Sequence, residues 1–354
     1  MVQPTIEETR LSTEQAIQTY RTGARITDAD ALVVKDFSVH YETDAGTVKA
    51  CENVSFTLKQ GERFALVGES GSGKTTLAMG LMRLTRPPGH IANGSVMLNG
   101  RDVTQLSDED MRKTRLSELA LVPQGAMNSL NPVMRIERQI IDGIIDHLED
   151  DDPVPSKEEL DATVRDLLTR VGLRPGVARL YPHELSGGMK QRVAMAIGIS
   201  LRPNLIIADE PTSALDVVVQ RQIMQTLGRL QEGLDASIML VGHDMGLVAQ
   251  FADTIGVMYA GKLVEVGPVD EVFSDPKHPY TKLLIRSLPS LQEKREFLGI
   301  PGLPPRLIDL PNSCAFSDRC PSRFEKCGES IPQTINLGGR RETACHLYEG
   351  EGQS

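Results

Sequence analysis

Gly68-Glu69-Ser70-Gly71-Ser72-Gly73-Lys74-Thr75 decides how this chain folds. Two glycines five residues apart, followed by Lys and Thr, make the phosphate-cradling P-loop pattern. The run before it, Phe64-Ala65-Leu66-Val67, is short and apolar and reads as a buried strand of a parallel sheet. The run after it, Lys74-Thr75-Thr76-Leu77-Ala78-Met79, reads as the start of a helix. A Gly-rich turn that merely contains a lysine needs neither neighbour. The glycines let backbone N–H groups converge on phosphate oxygens, and the helix N-terminus adds a partial positive charge there. Gly68, Ser70, Gly71, Gly73, Lys74, Thr75 and Thr76 are therefore candidate nucleotide contacts. Lys74 is expected on the β and γ phosphates and the Thr75 hydroxyl on Mg²⁺.

Three more apolar runs end in residues suited to the same chemistry. Leu205-Ile206-Ile207-Ala208 runs into Asp209-Glu210. Ligands of open α/β sheets bind at the C-terminal ends of strands. There Asp209 would hold Mg²⁺, and Glu210 would orient or deprotonate an attacking water. Two solvated acids would not need the apolar run before them. Ser237 to Val241 is apolar and ends in Gly242-His243-Asp244. A lone His is usually structural, but this one falls at the same expected edge, where it can meet a γ-phosphate. Leu119-Ala120-Leu121-Val122-Pro123-Gln124 is a fourth such run, bringing Gln124 to the metal and the water.

Together with Leu185-Ser186-Gly187-Gly188-Met189-Lys190-Gln191-Arg192, just upstream of the Asp-Glu strand, these residues resemble the ATP-binding subunit of an ABC transporter. The resemblance spans roughly 31–350. It implies that Ser186, Gly187 and Gly188 are the signature motif, Ser213-Ala214-Leu215-Asp216 the D-loop, Gln124 the Q-loop glutamine and His243 the switch histidine. It also implies that Tyr41 stacks on adenine; the bland reading of a strand-end Tyr is packing. In this family ATP on one P-loop is capped by the partner's signature motif. A Ser and two glycines opening a helix suit that role, because their amides can bind phosphate across an interface. A second ATP-binding subunit, identical or homologous, is thus expected. Ser129-Leu130-Asn131-Pro132, His278-Pro279-Tyr280-Thr281 and the cysteine-bearing tail resemble the oligopeptide/dipeptide importer branch. That branch imports peptides, and some members carry nickel or oligosaccharides. It implies two transmembrane permease subunits and, indirectly, an extracytoplasmic solute-binding protein.

Composition narrows the setting. The chain has 354 residues and a net charge of −10, with no Trp and 4% aromatic residues. That balance argues against nucleic acid as a principal partner. No run of about 18 apolar residues exists, and the N-terminus lacks an apolar core of the signal-peptide kind. A peripheral protein at the cytoplasmic face of the membrane is expected. The alternative is a non-transport ABC ATPase, which usually carries two ATPase units or a long coiled-coil insert. Only one P-loop occurs here, and no such insert is evident.

The expected fold is α/β: a P-loop ABC-type ATPase core with a β-rich N-terminal subdomain, a helical subdomain and a small Cys-rich C-terminal module. Residues 1–30 form a polar extension, with a possible short helix over 13–21. Residues 31–285 form the nucleotide-binding domain, its helical part at about 126–189. Residues 286–354 are a Pro-rich linker and the Cys-rich module. Of five cysteines, Cys51 reads as buried packing. Cys314, Cys320, Cys327 and Cys345 are separated by five, six and seventeen residues. A reducing compartment disfavours disulfides, and a loop-rich segment poor in apolar residues invites a metal staple. Zinc sites usually pair cysteines two residues apart, which is not seen here; irregular gaps suit an iron–sulfur cluster. The resemblance implies the same, a [4Fe–4S] cluster. Zinc and no metal at all remain open readings of the same thiols.

Overall fold

The computed structural model describes residues 26–125, 129–149, 151–287, 299–308 and 310–350. The possible helix over 13–21 and most of the expected linker lie outside them. In chain order the strands are β1 (Asp30–Thr43), β2 (Gly46–Lys59), β3 (Arg63–Val67), β4 (Gly89–Leu98), β5 (Arg101–Asp102) and β6 (Leu119–Val122). They continue with β7 (Leu205–Asp209), β8 (Ser237–Gly242), β9 (Thr254–Tyr259), β10 (Lys262–Pro268), β11 (Ile335–Asn336) and β12 (Glu342–Thr343). One sheet has the order β2-β1-β4-β5 and is antiparallel throughout; the main sheet has the order β11-β12-β10-β9-β3-β8-β7-β6.

From β9 to β6 the main sheet is parallel. Its strands are apolar without interruption because both faces are covered. The period of two sorts their side chains between two cores. Ala65, Val67, Ile206, Ala208, Ile238 and Leu240 point into one, with the helices that follow the signature segment. Phe64, Leu66, Leu205, Ile207, Met239 and Val241 point into the other, shared with the antiparallel sheet.

The helices are α1 (Lys74–Leu81), α2 (Asp108–Ser117), α3 (Ile136–Ile145), α4 (Lys157–Arg170), α5 (Gly187–Gly198), α6 (Val217–Leu234), α7 (Met245–Phe251), α8 (Val269–Ser274) and α9 (Pro279–Arg286). Most begin on a side chain that accepts from an early amide, such as Ser156 for α4 and Asp216 for α6. The N-cap of α1 is Gly73, which offers no side chain to its amides. The Ser-Gly-Gly turn opens a helix as expected, with Ser186 as the N-cap of α5. No helix among the described residues is long and apolar enough to cross a membrane.

The tail, expected as a small Cys-rich module, is joined to the ATPase sheet. Its β12 pairs with β10 and its β11 with β12, so the tail extends the edge of the ATPase sheet. Phe316, 1% exposed, enters the core beside Tyr259 and Tyr280, with ring centroids 5.2 and 5.4 Å away. Three tail arginines reach core carboxylates: Arg319 to Glu69, Arg340 to Glu62 and Arg341 to Glu265. A segment too poor in apolar residues to hold a core of its own therefore uses the core of the ATPase. Phe316→Ala should lower unfolding stability by about 3–5 kcal/mol, read by denaturant melts. A change below about 1 kcal/mol would show that the tail is not anchored there.

Candidate nucleotide site

The register of the parallel strands brings the candidate residues to one edge. Val67 pairs with Gly242, Asp209 with Val241 and Val122 with Ala208. The residues just beyond this line are Gly68, Glu210, His243 and Pro123, with Gln124 next.

The loop after β3 closes tightly around backbone. A Cβ on Gly68 would stand 2.2 Å from the Met258 carbonyl oxygen, and one on Gly73 2.2 Å from that of Ala50. Both have positive φ, +154° and +104°. Only glycine fits either place, and the fit leaves the α1 amides uncovered for an anion. Lys74 folds back onto this loop. Its Nζ donates to the Gly68 and Glu69 carbonyls, each at 2.9 Å, and to Ser72 Oγ at 3.3 Å. Burial holds its pKa below the usual lysine value, while Glu210, Asp209 and Glu69 pull it back up. A buried ammonium bonded only to weak acceptors is ready to exchange them for phosphate oxygens.

Thr75 Oγ1 donates to Asp209 Oδ1 at 3.2 Å, so the hydroxyl and carboxylate that would share Mg²⁺ already meet. Asp209 is 2% exposed, and burial pushes its pKa up to about 6; the Thr75 hydrogen bond and Lys74 offset part of the rise. Glu210 turns away from that pair. Its φ of 43° is left-handed, uncommon outside glycine and costing on the order of 1 kcal/mol. Its amide still donates to the Val241 carbonyl at 2.8 Å. The backbone twist frees its carboxylate to meet two side chains. Gln124 Nε2 donates to Oε2 at 2.9 Å, and His243 Nδ1 lies 3.3 Å from Oε1. Three residues from three strand ends thus share one point. They can orient a water and take its proton.

Other candidates stand apart from this group. Ser186 is exposed and caps α5, accepting from the Met189 amide at 3.4 Å. Gly187 opens α5, and a Cβ on Gly188 would strike Val219 of α6. Ser213 to Asp216 lead into α6, with the Ser213 amide on the Glu210 carbonyl at 3.0 Å. Tyr41 is half-buried on β1, where the ring lies against Gly89. The recorded contact is packing. Cys51 lies under the loop, its Sγ 3.4 Å from the Gly73 carbonyl oxygen.

The tail thiols gather without forming a ligating group. Burial raises the pKa of Cys314, Cys320 and Cys345, the last to about 11, and Cys345 feels the charges of the other three. Yet no three Cys, His, Asp or Glu side chains among the described residues stand close enough to hold one metal ion. No formed ligand group among the described residues supports the expected staple, while Phe316 and the three arginines anchor the tail to the core.

Two residues escaped the sequence reading. Glu69 is a variable position of the P-loop pattern, and Arg319 sits unremarked beside Cys320. Their side chains form a two-pronged ion pair at 2.7 and 2.9 Å. The Tyr280 hydroxyl accepts from the Glu69 amide at 2.9 Å. His278-Pro279-Tyr280 was visible as a branch-specific segment, but nothing in it pointed to the P-loop.

The chain is similar to known proteins over most of its length. Residues 51–213 match the family described as ABC transporter, and residues 264–327 that described as oligopeptide/dipeptide transporter, C-terminal region. The chain is 42% identical to the oligopeptide transport ATP-binding protein OppD of Bacillus subtilis, over 81% of this chain and 80% of that protein. It is 39% identical to the dipeptide transport ATP-binding protein DppD of Escherichia coli, over 89% and 96%. Among solved structures it resembles the ATP-binding cassette MJ0796, in a dimeric post-hydrolysis state bound to ADP and Pi. There the TM-score is 0.60 at 27% identity, covering 67% of this chain and 98% of that one.

The raised Asp209 pKa has a definite sign. A carboxyl at about 6 in the fold and near its ordinary 3.8 when unfolded keeps more protons folded than unfolded between those values. Stability therefore falls as pH rises through that window. Asp209→Asn should stabilise the nucleotide-free, Mg²⁺-free chain at pH 8 by on the order of 1–3 kcal/mol, a gain that fades toward pH 4. Denaturant melts at both pH values read it. A pH-independent difference would contradict the buried carboxyl.

Proposed function

The chain belongs to the ABC transporter family, as an ATP-binding subunit of the oligopeptide/dipeptide branch, and from that premise we propose how it works. It hydrolyses ATP and so energises peptide import through separate permease subunits. It docks on these at the cytoplasmic face of the membrane. The observation that carries the hydrolytic reading is the meeting of Glu210 with Gln124 and His243 at three strand ends, on the same sheet edge as a loop that only glycine fits.

Gly68, Ser70, Gly71, Gly73, Lys74, Thr75 and Thr76 hold the triphosphate, and Lys74 trades its loop carbonyls for phosphate oxygens. Thr75, Asp209 and Gln124 are the residues that would hold Mg²⁺, which neutralises phosphate charge when bound. Glu210 takes a proton from water as its oxygen attacks the γ-phosphorus. The bond to the β-phosphate oxygen breaks, and ADP and phosphate leave. His243 and Gln124 keep that carboxylate and the water in line. Tyr41 supplies an adenine contact. Ser186, Gly187 and Gly188 serve the site of a second ATP-binding subunit, identical or homologous. Support for this comes from the exposed Ser186 turn, the exposed Val217 and Val218 beside the D-loop, and the dimeric state of the resembling cassette. Val133, 83% exposed after Asn131-Pro132, suits contact with a permease subunit.

The division at about residue 286, and a [4Fe–4S] cluster on Cys314, Cys320, Cys327 and Cys345, belong to the same reading. A cluster spreads four thiolates over four irons, so its sulfurs stand farther apart than those around one ion. What supports it is the gathering of four buried or half-buried thiols in one loop-rich segment, within electrostatic reach of one another.

Glu210→Gln should keep ATP binding while lowering turnover by about 10²–10⁴-fold, with a closed dimer accumulating. Near-normal turnover at this chain's site would overturn the assignment. Anaerobic protein should contain about four irons per chain, lost in Cys320→Ser while ATP still binds. One zinc per chain, or no metal, would remove the cluster from the account.

A further inference from the structure

The ATPase core binds its own tail at Glu69, the second residue of the P-loop. Glu69 is held from three sides. Its amide donates to the Tyr280 hydroxyl of α9 at 2.9 Å. Its carbonyl accepts from Lys74 Nζ at 2.9 Å and from the Ser72 amide at 3.2 Å. Its carboxylate takes both prongs of Arg319, which lies 250 residues further along the chain.

Arg319 is built for this place. Its side chain is 5% exposed. Nη1 and Nη2 reach the two Glu69 oxygens, Nε donates to the Pro301 carbonyl at 2.8 Å, and Nη1 also reaches the Tyr259 hydroxyl at 3.2 Å. The guanidinium lies over the Tyr259 ring at 5.7 Å. Every edge of the fork is used, with geometry fixed by planarity. The adjoining Met258 carbonyl is the atom that forces glycine at position 68. One guanidinium therefore ties the end of β9, the loop at 300–301 and the first turn of the P-loop into one body.

We propose that Arg319 is a positioning residue for ATP binding: docking of the tail sets the P-loop through Glu69, so tail order and nucleotide affinity are coupled. The proposal rests on the reading that this P-loop binds ATP. The recorded hydrogen-bond partners of Arg319 are Glu69, Tyr259, Ile300 and Pro301, and none of them is Lys74, Thr75, Asp209 or Glu210. Its loss should therefore act on affinity and leave the chemical step alone. Coupling is reciprocal, so bound nucleotide must in turn order the tail.

The test measures the affinity of a fluorescent ATP analogue for the full chain and for Glu69→Gln, Arg319→Ala, Arg319→Lys, the Glu69→Gln/Arg319→Ala double variant and Lys74→Ala. Hydrogen exchange over 299–350 is followed with and without nucleotide. Glu69→Gln and Arg319→Ala should each raise Kd about tenfold, and the double variant should be no worse than either. Arg319→Lys should fall between, since it keeps charge and loses the fork. In the assembled transporter KM for ATP should rise with kcat nearly unchanged. Nucleotide should slow exchange in the tail. Glu69→Gln leaves Arg319 its other partners, so it keeps the test sound if Arg319→Ala unfolds the tail. A Glu69→Gln protein with a protected tail and unchanged Kd overturns the coupling, provided that Lys74→Ala has lost binding. Unchanged Kd in Lys74→Ala as well overturns the P-loop reading itself.

Discussion

The level ending of parallel strands at one sheet edge is the constraint from which the rest follows. Backbone groups at strand ends are unpaired, and several strands stopping in register leave a cleft lined by the next few residues of each. In this chain those residues are a glycine loop, two acids, a histidine and a glutamine. Their chemistry depends on register at the scale of one residue. A slip of one position would turn every side chain of β7, Asp209 included, to the opposite face of the sheet. The interleaving of two cores through the sheet prevents that slip, because every strand residue has an apolar destination on its own side.

The reach of sequence reasoning follows from the distance over which each signal acts. Strands β3, β6, β7 and β8 of the main sheet were legible because double burial writes unbroken apolar runs such as Leu205 to Ala208. The P-loop was legible because its glycines answer a local steric demand, now visible as the 2.2 Å approach at Gly68 and Gly73. Glu210 was legible as an acid at a strand end, but its left-handed backbone was not. Nothing local forbids an extended glutamate there; the twist is imposed by what its carboxylate must meet. Tyr41 was placed by resemblance, and the structure adds only its packing on Gly89.

How the tail is held was not legible in the sequence, for a physical reason. Low apolar content says that the tail needs stabilisation beyond its own side chains, and part of it comes from the ATPase. Phe316 lends one large ring, and Arg340 and Arg341 neutralise Glu62 and Glu265, carboxylates with 0% side-chain exposure. Such a buried carboxylate costs several kcal/mol without a partner, so core and tail need each other. The Glu69–Arg319 contact was invisible for a related reason. Neither residue departs from what its own neighbourhood allows, and only the fold puts them together.

The central claim is that one chain holds only part of an ATP site. The recorded contacts of Ser186 and Gly188 are with Met189, Lys190 and Val219, not with the P-loop. The most direct measurement is ATP turnover per chain as the purified protein is diluted, with the mass of the species followed in parallel. The account requires turnover per chain to fall as the protein becomes monomeric, and to return when a second ATP-binding subunit with an intact Ser-Gly-Gly turn is supplied. Full turnover per chain by a species of monomeric mass would contradict it.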